Sequence, residues 1–174
     1  VVVTIVGNTK NETYDGTEKT VTGYKVTNIS NSLYKESDFT FNGNAAVSGI
    51  DADSYDMGLL SSQFTNTNGN FKKVTFVVTD GKLTIEPRSV TLTSASAKRE
   101  YNGQPLTAKT VAVTGDGFAE GEGASYNVTG SQTVKGSSKN TFTYTLNSNT
   151  KADNYIITPV EGDLEVTANV KEIK

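Results

Sequence analysis

Two short stretches concentrate the carboxylates of this chain. "DADSYD" holds Asp51, Asp53 and Asp56, and "DGFAEGEG" holds Asp116, Glu120 and Glu122. Carboxylate oxygens are what calcium binds, and two such groups facing each other across a cleft can divide the acid and nucleophile roles of glycoside hydrolysis. Neither stretch has the full spacing of a calcium loop, and their Gly and Asp content suits solvated turns equally well. The sequence therefore assigns no catalytic, cofactor-binding or metal-binding residue. The chain has no His and no Cys, which removes imidazole catalysis, thiol chemistry and the commoner zinc sites. There is also no "GxxxxGK" to cradle a phosphate. Plentiful Lys, Asn and Asp leave room for a buried Lys to Asn or Asp isopeptide cross-link, a reading that rests on analogy alone. The sequons at Asn11, Asn28 and Asn127 mark possible sites of N-glycosylation and nothing more.

A second set of residues repeats. "YDG" at Tyr14 to Gly16 returns as "YNG" at Tyr101 to Gly103. Asp15 and Asn102 can each bond to the backbone two residues on, and the Gly that follows can take positive φ. A carboxylate with a chemical task would not be exchanged for an amide, so a turn is the expected role. Tyr14 and Tyr101 are expected to anchor a core or sheet edge, with carbohydrate stacking as the alternative.

The elements that hold these residues read as β. Thr occurs 26 times, and its branched Cβ favours a pleated strand. In "VTFVVTDGKLTIEP" apolar residues alternate with Thr or Lys around a "DG" expected to make a tight turn between two strands. Leu83 and Ile85, and likewise Leu164 and Val166, stand two apart and should share a sheet face. Gly117, Gly121 and Gly123 make a sustained helix costly in the one segment that suggests a turn of it, at about 0.8 to 1 kcal/mol each. The expected fold is all-β or predominantly β, as tandem small β-sandwich-like domains, or alternatively β-grasp-like modules with little helix.

The repeat extends across the chain. An offset of 87 places Val3 on Val90, Gly43 on Gly130, Val47 on Val134, Gly49 on Gly136, Tyr55 on Phe142, Met57 on Tyr144 and Leu59 on Leu146. Phe71 then matches Tyr155, and Gly81, Leu83 and Ile85 match Gly162, Leu164 and Val166 after small deletions. The "DADSYD" acids fall against "SSKNTF", which lacks them. Modules at 1–87 and 88–174 follow, joined by "IEPRSVTL", which is too short for a free linker.

With 16 Lys and Arg against 19 Asp and Glu and a formal charge of -3, the chain lacks the electropositive face that nucleic acid or an anionic membrane demands. "VVVTIVGNTK" has no basic leader and is too short to span a bilayer, so no membrane insertion by this segment is expected. Opening abruptly on a strand-like run without Met, the chain reads as a portion of a longer protein.

"YDG", "DFTFNGNAAVSGIDADSYDMGLLSSQFTNTNGNF" and "VTFVVTDGKLTIEP" in the first copy resemble the YDG and MBG-type repeat domains of bacterial cell-surface proteins and adhesins. "REYNGQPLTAKTVAVTGDGFAEGE" and "ADNYIITPVEGDLEVTA" look like a related module. The resemblance implies an extracellular, cell-wall or cell-surface location and a non-catalytic stalk that presents a distal region away from the cell. Its partners would be neighbouring repeats of the same chain. The alternative is a host glycan- or matrix protein-binding adhesion module using Tyr, Asn and Thr of a sheet face, or an aromatic patch near Tyr55. A carboxylate-dependent glycan-active enzyme ranks last.

Overall fold

A computed structural model describes residues 1–173; Lys174, the end of the second expected module, lies outside them. The chain is predominantly β and divides into two compact units, Val1–Glu86 and Pro87–Lys174.

The first unit contains β1 (Val2–Gly7), β2 (Thr9–Thr13), β3 (Lys19–Thr22), β4 (Tyr24–Ile29), β5 (Phe39–Phe41), β6 (Ala46–Gly49), β7 (Asp53–Asp56), β8 (Phe64–Asn66), β9 (Thr75–Thr79) and β10 (Lys82–Glu86). Its sheets run β4-β1-β9 and β2-β10-β7, with two-stranded ribbons β3-β6 and β5-β8. The first and last strands are parallel neighbours. β1 pairs with β9 from Val2↔Thr75 to Val6↔Thr79, and β2 with β10 from Thr9↔Lys82 to Thr13↔Glu86. The remaining pairs are antiparallel.

The second unit contains β11 (Arg88–Ser94), β12 (Ala97–Glu100), β13 (Val111–Gly115), β14 (Ala124–Val128), β15 (Gly136–Lys139), β16 (Phe142–Leu146), β17 (Tyr155–Val160) and β18 (Asp163–Thr167). Its sheets run β13-β11-β17 and β12-β18-β15, with the ribbon β14-β16. β11 and β17 are parallel, as are β12 and β18. A single bridge, Leu106↔Gln132, stands where the first unit has the β3-β6 ribbon. The two units thus share one topology.

The "DG" of the first unit is not a hairpin turn. β9 and β10 belong to different sheets, and Asp80–Gly81 is the bend at which the last strand passes from one to the other. Gly7 makes the same passage beside it: a Cβ there would lie 2.2 Å from Gly81 N. Two glycines let the backbones cross where side chains would overlap. Asp80 then stabilises the bend by accepting hydrogen bonds from Gly58 N at 2.9 Å and Leu59 N at 2.8 Å. In the second unit Gly162 lies against Ser94 and Ala95 in the same way.

Alternation along the strands fills the cores. Val3, Ile5, Leu83 and Ile85 are buried in the first unit, and Val90, Leu92, Leu164 and Val166 in the second. Beyond that the interiors differ. The first unit packs rings: Phe64 meets Tyr24, Phe39, Phe41 and Phe76 with centroids 4.9–5.8 Å apart. The second places Leu106 on Leu164 and Val166, and its ring contact, Phe118 with Tyr155, has centroids 5.2 Å apart.

The pairing also revises the middle of the repeat. Tyr55 stands opposite Leu83, and Ser138 opposite Leu164, so Tyr55 corresponds to Ser138 rather than to Phe142. Met57 corresponds to Asn140, since each donates its backbone N–H to the crossing glycine, Gly81 or Gly162. Phe64, opposite Phe41, corresponds to Phe142, opposite Val128. Val47 and Gln132 are partners of the equivalent Val21 and Leu106. Loop lengths differ within the middle region, so a constant offset places unrelated residues together there.

Candidate functional site

The repeated YDG and YNG turns occupy one position in the fold. Tyr14 N donates to Glu86 O at 2.9 Å, and Tyr101 N donates to Thr167 O at 2.8 Å. Each bond is the last rung between the second strand of a unit and its final strand. The chain then turns away. Asp15 Oδ1 accepts from Thr17 N at 2.9 Å and Thr17 Oγ1 at 2.6 Å, and Asn102 Oδ1 accepts from Gln104 N at 3.0 Å. Gly16 and Gly103 have φ of 81° and 80°, the left-handed region that Gly enters without a Cβ penalty. The motif is a side-chain-closed turn that ends the ladder, which explains why an acid and an amide serve equally.

Asp15 has one feature that Asn102 lacks. Lys19 Nζ donates to its Oδ2 at 2.7 Å. That bond first, then those from the Thr17 side chain and backbone, hold the Asp15 carboxyl well below the usual carboxylate range. The tyrosines differ too: Tyr14 is buried, whereas Tyr101 is 40% exposed.

The two carboxylate stretches lie in different units. Asp53 and Asp56 lie at the ends of β7, and Asp53 Oδ1 accepts from Ser54 N at 2.7 Å. The backbone O of Asp51 accepts from the Tyr55 hydroxyl at 2.8 Å. In the other stretch, the Arg88 guanidinium donates to the carbonyls of Asp116 and Gly117. Glu122 Oε1 accepts from the Tyr155 hydroxyl at 2.9 Å, and that hydroxyl in turn accepts from Ala119 N. Burial foremost raises the pKa of the Tyr155 phenol. Asp53 and Glu122 thus use their carboxylates in local contacts, whereas Asp51 and Asp116 contribute backbone carbonyls. Among the described residues no group of three or more acidic side chains is gathered to hold a metal.

Tyr55 is not a free aromatic platform. A Cβ on Gly49 would sit 2.4 Å from its ring, so the ring packs against that glycine. The close Lys–Asp contacts, Lys19–Asp15 at 2.7 Å and Lys139–Asp163 at 2.8 Å, are ion pairs with the Asp side chain 41% and 61% exposed. Neither is the buried setting an isopeptide bond needs. Asn11, Asn28 and Asn127 all lie at exposed strand positions. An open groove of about 530 Å³ in the first unit is walled by Asn8, Thr9, Thr20 and Thr22 with Lys10 and Lys25, and no acid pair faces into it.

The polar group that sequence reasoning missed is Asn140, which is fully buried. Its Nδ2 donates to Ala95 O at 2.9 Å and Ala108 O at 2.8 Å. The backbone carbonyl of Asn140 accepts from Ser94 Oγ at 2.6 Å, and that hydroxyl accepts from Gly162 N at 3.0 Å. The network locks the crossing of the second unit. In the first unit Met57 fills the corresponding place, and Asn8 Nδ2 donates to Thr22 O at 2.8 Å from the crossing itself. Nothing in "SSKNTF" marks Asn140 as buried, because its partners are backbone carbonyls distant in sequence.

Comparison with models of protein families, with curated proteins and with solved structures found no match to this chain.

Proposed function

We propose that this chain is a non-catalytic tandem structural segment of a bacterial surface protein, spacing a distal functional region from the cell. The observation that carries this reading is the repetition of one topology in two units whose strands are almost continuous in sequence. β10 ends at Glu86 and β11 begins at Arg88, leaving Pro87 alone as the connection. Proline fixes its own φ and restricts the residue before it, so the join has few backbone freedoms. The repeated motif already has a structural task, closing the turn that ends the ladder. Small-angle scattering of the 174-residue chain tests the reading: an elongated pair is expected, and a collapsed particle refutes it.

Binding of host glycan or matrix protein is the second reading, favoured by one face of the second unit. Thr114, Thr91 and Thr158 form a row across β13, β11 and β17, with Ile156 and Val160 exposed alongside. Hydroxyls and aliphatic groups without charge suit a neutral partner. Glycan arrays and matrix-protein capture, compared with denatured chain, test it; equal signal from both overturns it.

A further inference from the structure

We infer that each unit is built as a tension clamp, in which force applied through the two chain ends loads the parallel first-to-last strand ladder in shear. In the first unit the ladder reaches both ends of the fold. Thr75 N donates to Val1 O at 2.8 Å at one end, and Tyr14 N donates to Glu86 O at 2.9 Å at the other. Between them lie five residue pairs in each sheet, and Lys82 N to Asn8 O at 3.2 Å carries the ladder across the bend. The second unit has six pairs, then four, and closes with Tyr101 N to Thr167 O.

The direction of the strands decides how load acts. Both strands run the same way, so Val1 is at the start of one and Glu86 at the end of the other. Pulling the ends apart slides the strands along each other, and the bonds between them, which run across the strands, share the load. Creep by small steps is blocked. A slip of one residue would turn Val3, Ile5, Leu83 and Ile85, all at most 2% exposed, toward the opposite face. The strands must therefore give way together. The covalent join at Pro87 puts the two clamps in series.

The inference rests on the spacer reading only for the source of the load; the resistance itself is a property of the ladder. The chain has no Cys, so Glu18→Cys, at an exposed position beyond the YDG turn, provides a unique handle. The same variant is stretched by single-molecule force spectroscopy in two ways, always from the C-terminus and either from the N-terminus or from position 18. In the second geometry both attachment points of the first unit lie at the same end of its ladder, so the strands peel apart. That rupture is recognisable because it frees about 60 Å less chain. The second unit is sheared in both experiments and serves as the reference. The expected result is a rupture force for the first unit that falls by about two-fold or more on peeling, because bonds then break in turn instead of together. Equal forces in the two geometries, or end-to-end extension without a force peak, would overturn the clamp. An elongated pair in scattering that lacks the peak would leave the spacer standing without the clamp, and a collapsed pair with a strong peak would do the reverse.

Discussion

Replacing Asn140 by Ala removes the two side-chain hydrogen bonds that hold the second unit's crossing, at 2.9 and 2.8 Å, and leaves the carbonyls of Ala95 and Ala108 without that donor. An orphaned buried acceptor costs about 1 to 3 kcal/mol. Asn140 Oδ1 is itself buried without a partner, so its removal returns part of that cost. The net loss expected is about 2 to 4 kcal/mol, a large share of the roughly 5 to 15 kcal/mol that holds a domain folded. For a unit of this size it corresponds to a fall of about 10 to 25 °C in the midpoint of its thermal transition. Urea unfolding followed by circular dichroism measures the loss. Peptide-level hydrogen exchange locates it, with faster exchange expected over residues 88–100 and 155–167 and little change in the first unit.

Asn140→Met separates the hydrogen bonds from the volume. Met is the residue at the corresponding position of the first unit, where Gly81 packs against the Met57 thioether. Because it fills space but donates nothing, it should lose nearly as much stability as Ala. A Met variant within about 0.5 kcal/mol of the parent would show that packing alone holds the crossing, and the hydrogen-bond argument would fail.

Two further outcomes follow from the first unit. Phe64→Ala removes a buried ring touching Tyr24, Phe39, Phe41 and Phe76, and should cost about 3 to 5 kcal/mol in urea unfolding of that unit while sparing the second. Asp15, whose carboxyl Lys19 and Thr17 hold below its ordinary pKa, adds stability that is present above the unfolded value near pH 3.9 and lost as pH falls below it. Because the pair is solvent-screened, that increment is about 0.5 to 1 kcal/mol. Unfolding at pH 7 and pH 3 should show Asp15→Asn removing this part of the acid loss while keeping the turn, as Asn102 does; an unchanged pH dependence would refute it.

The sequence disclosed what local pattern controls. Alternation placed Leu83, Ile85, Leu164 and Val166 in the interior, and the Tyr-Asp-Gly and Tyr-Asn-Gly spacing marked equivalent turns. It did not disclose which strands would meet. "VTFVVTDGKLTIEP" looks like a hairpin because a bend between sheets and a reversal draw on the same residues, and the partner that separates the two cases lies 73 residues away in β1 and β2. Tyr14 and Tyr101 show a second limit. Identical residues at equivalent positions differ in burial because the structure around each differs.

What the units share, and what they do not, bears on the proposed function. Ring packing in one interior has no equal in the other, Met57 stands where the other has Asn140, and a ribbon is replaced by one bridge. The common features are geometric: a parallel ladder between first and last strands, a glycine where they cross sheets, and a side-chain-closed turn where the ladder ends. A shared binding surface or reaction centre would require matching side chains at matching places. A segment whose task is to hold a length requires only the backbone path, and any interior that supports it will serve. The exchange of Asp15 for Asn102 fits this account at the scale of one residue. The atom common to both is the oxygen that accepts the backbone hydrogen bond, and the charge that differs is not needed to close the turn.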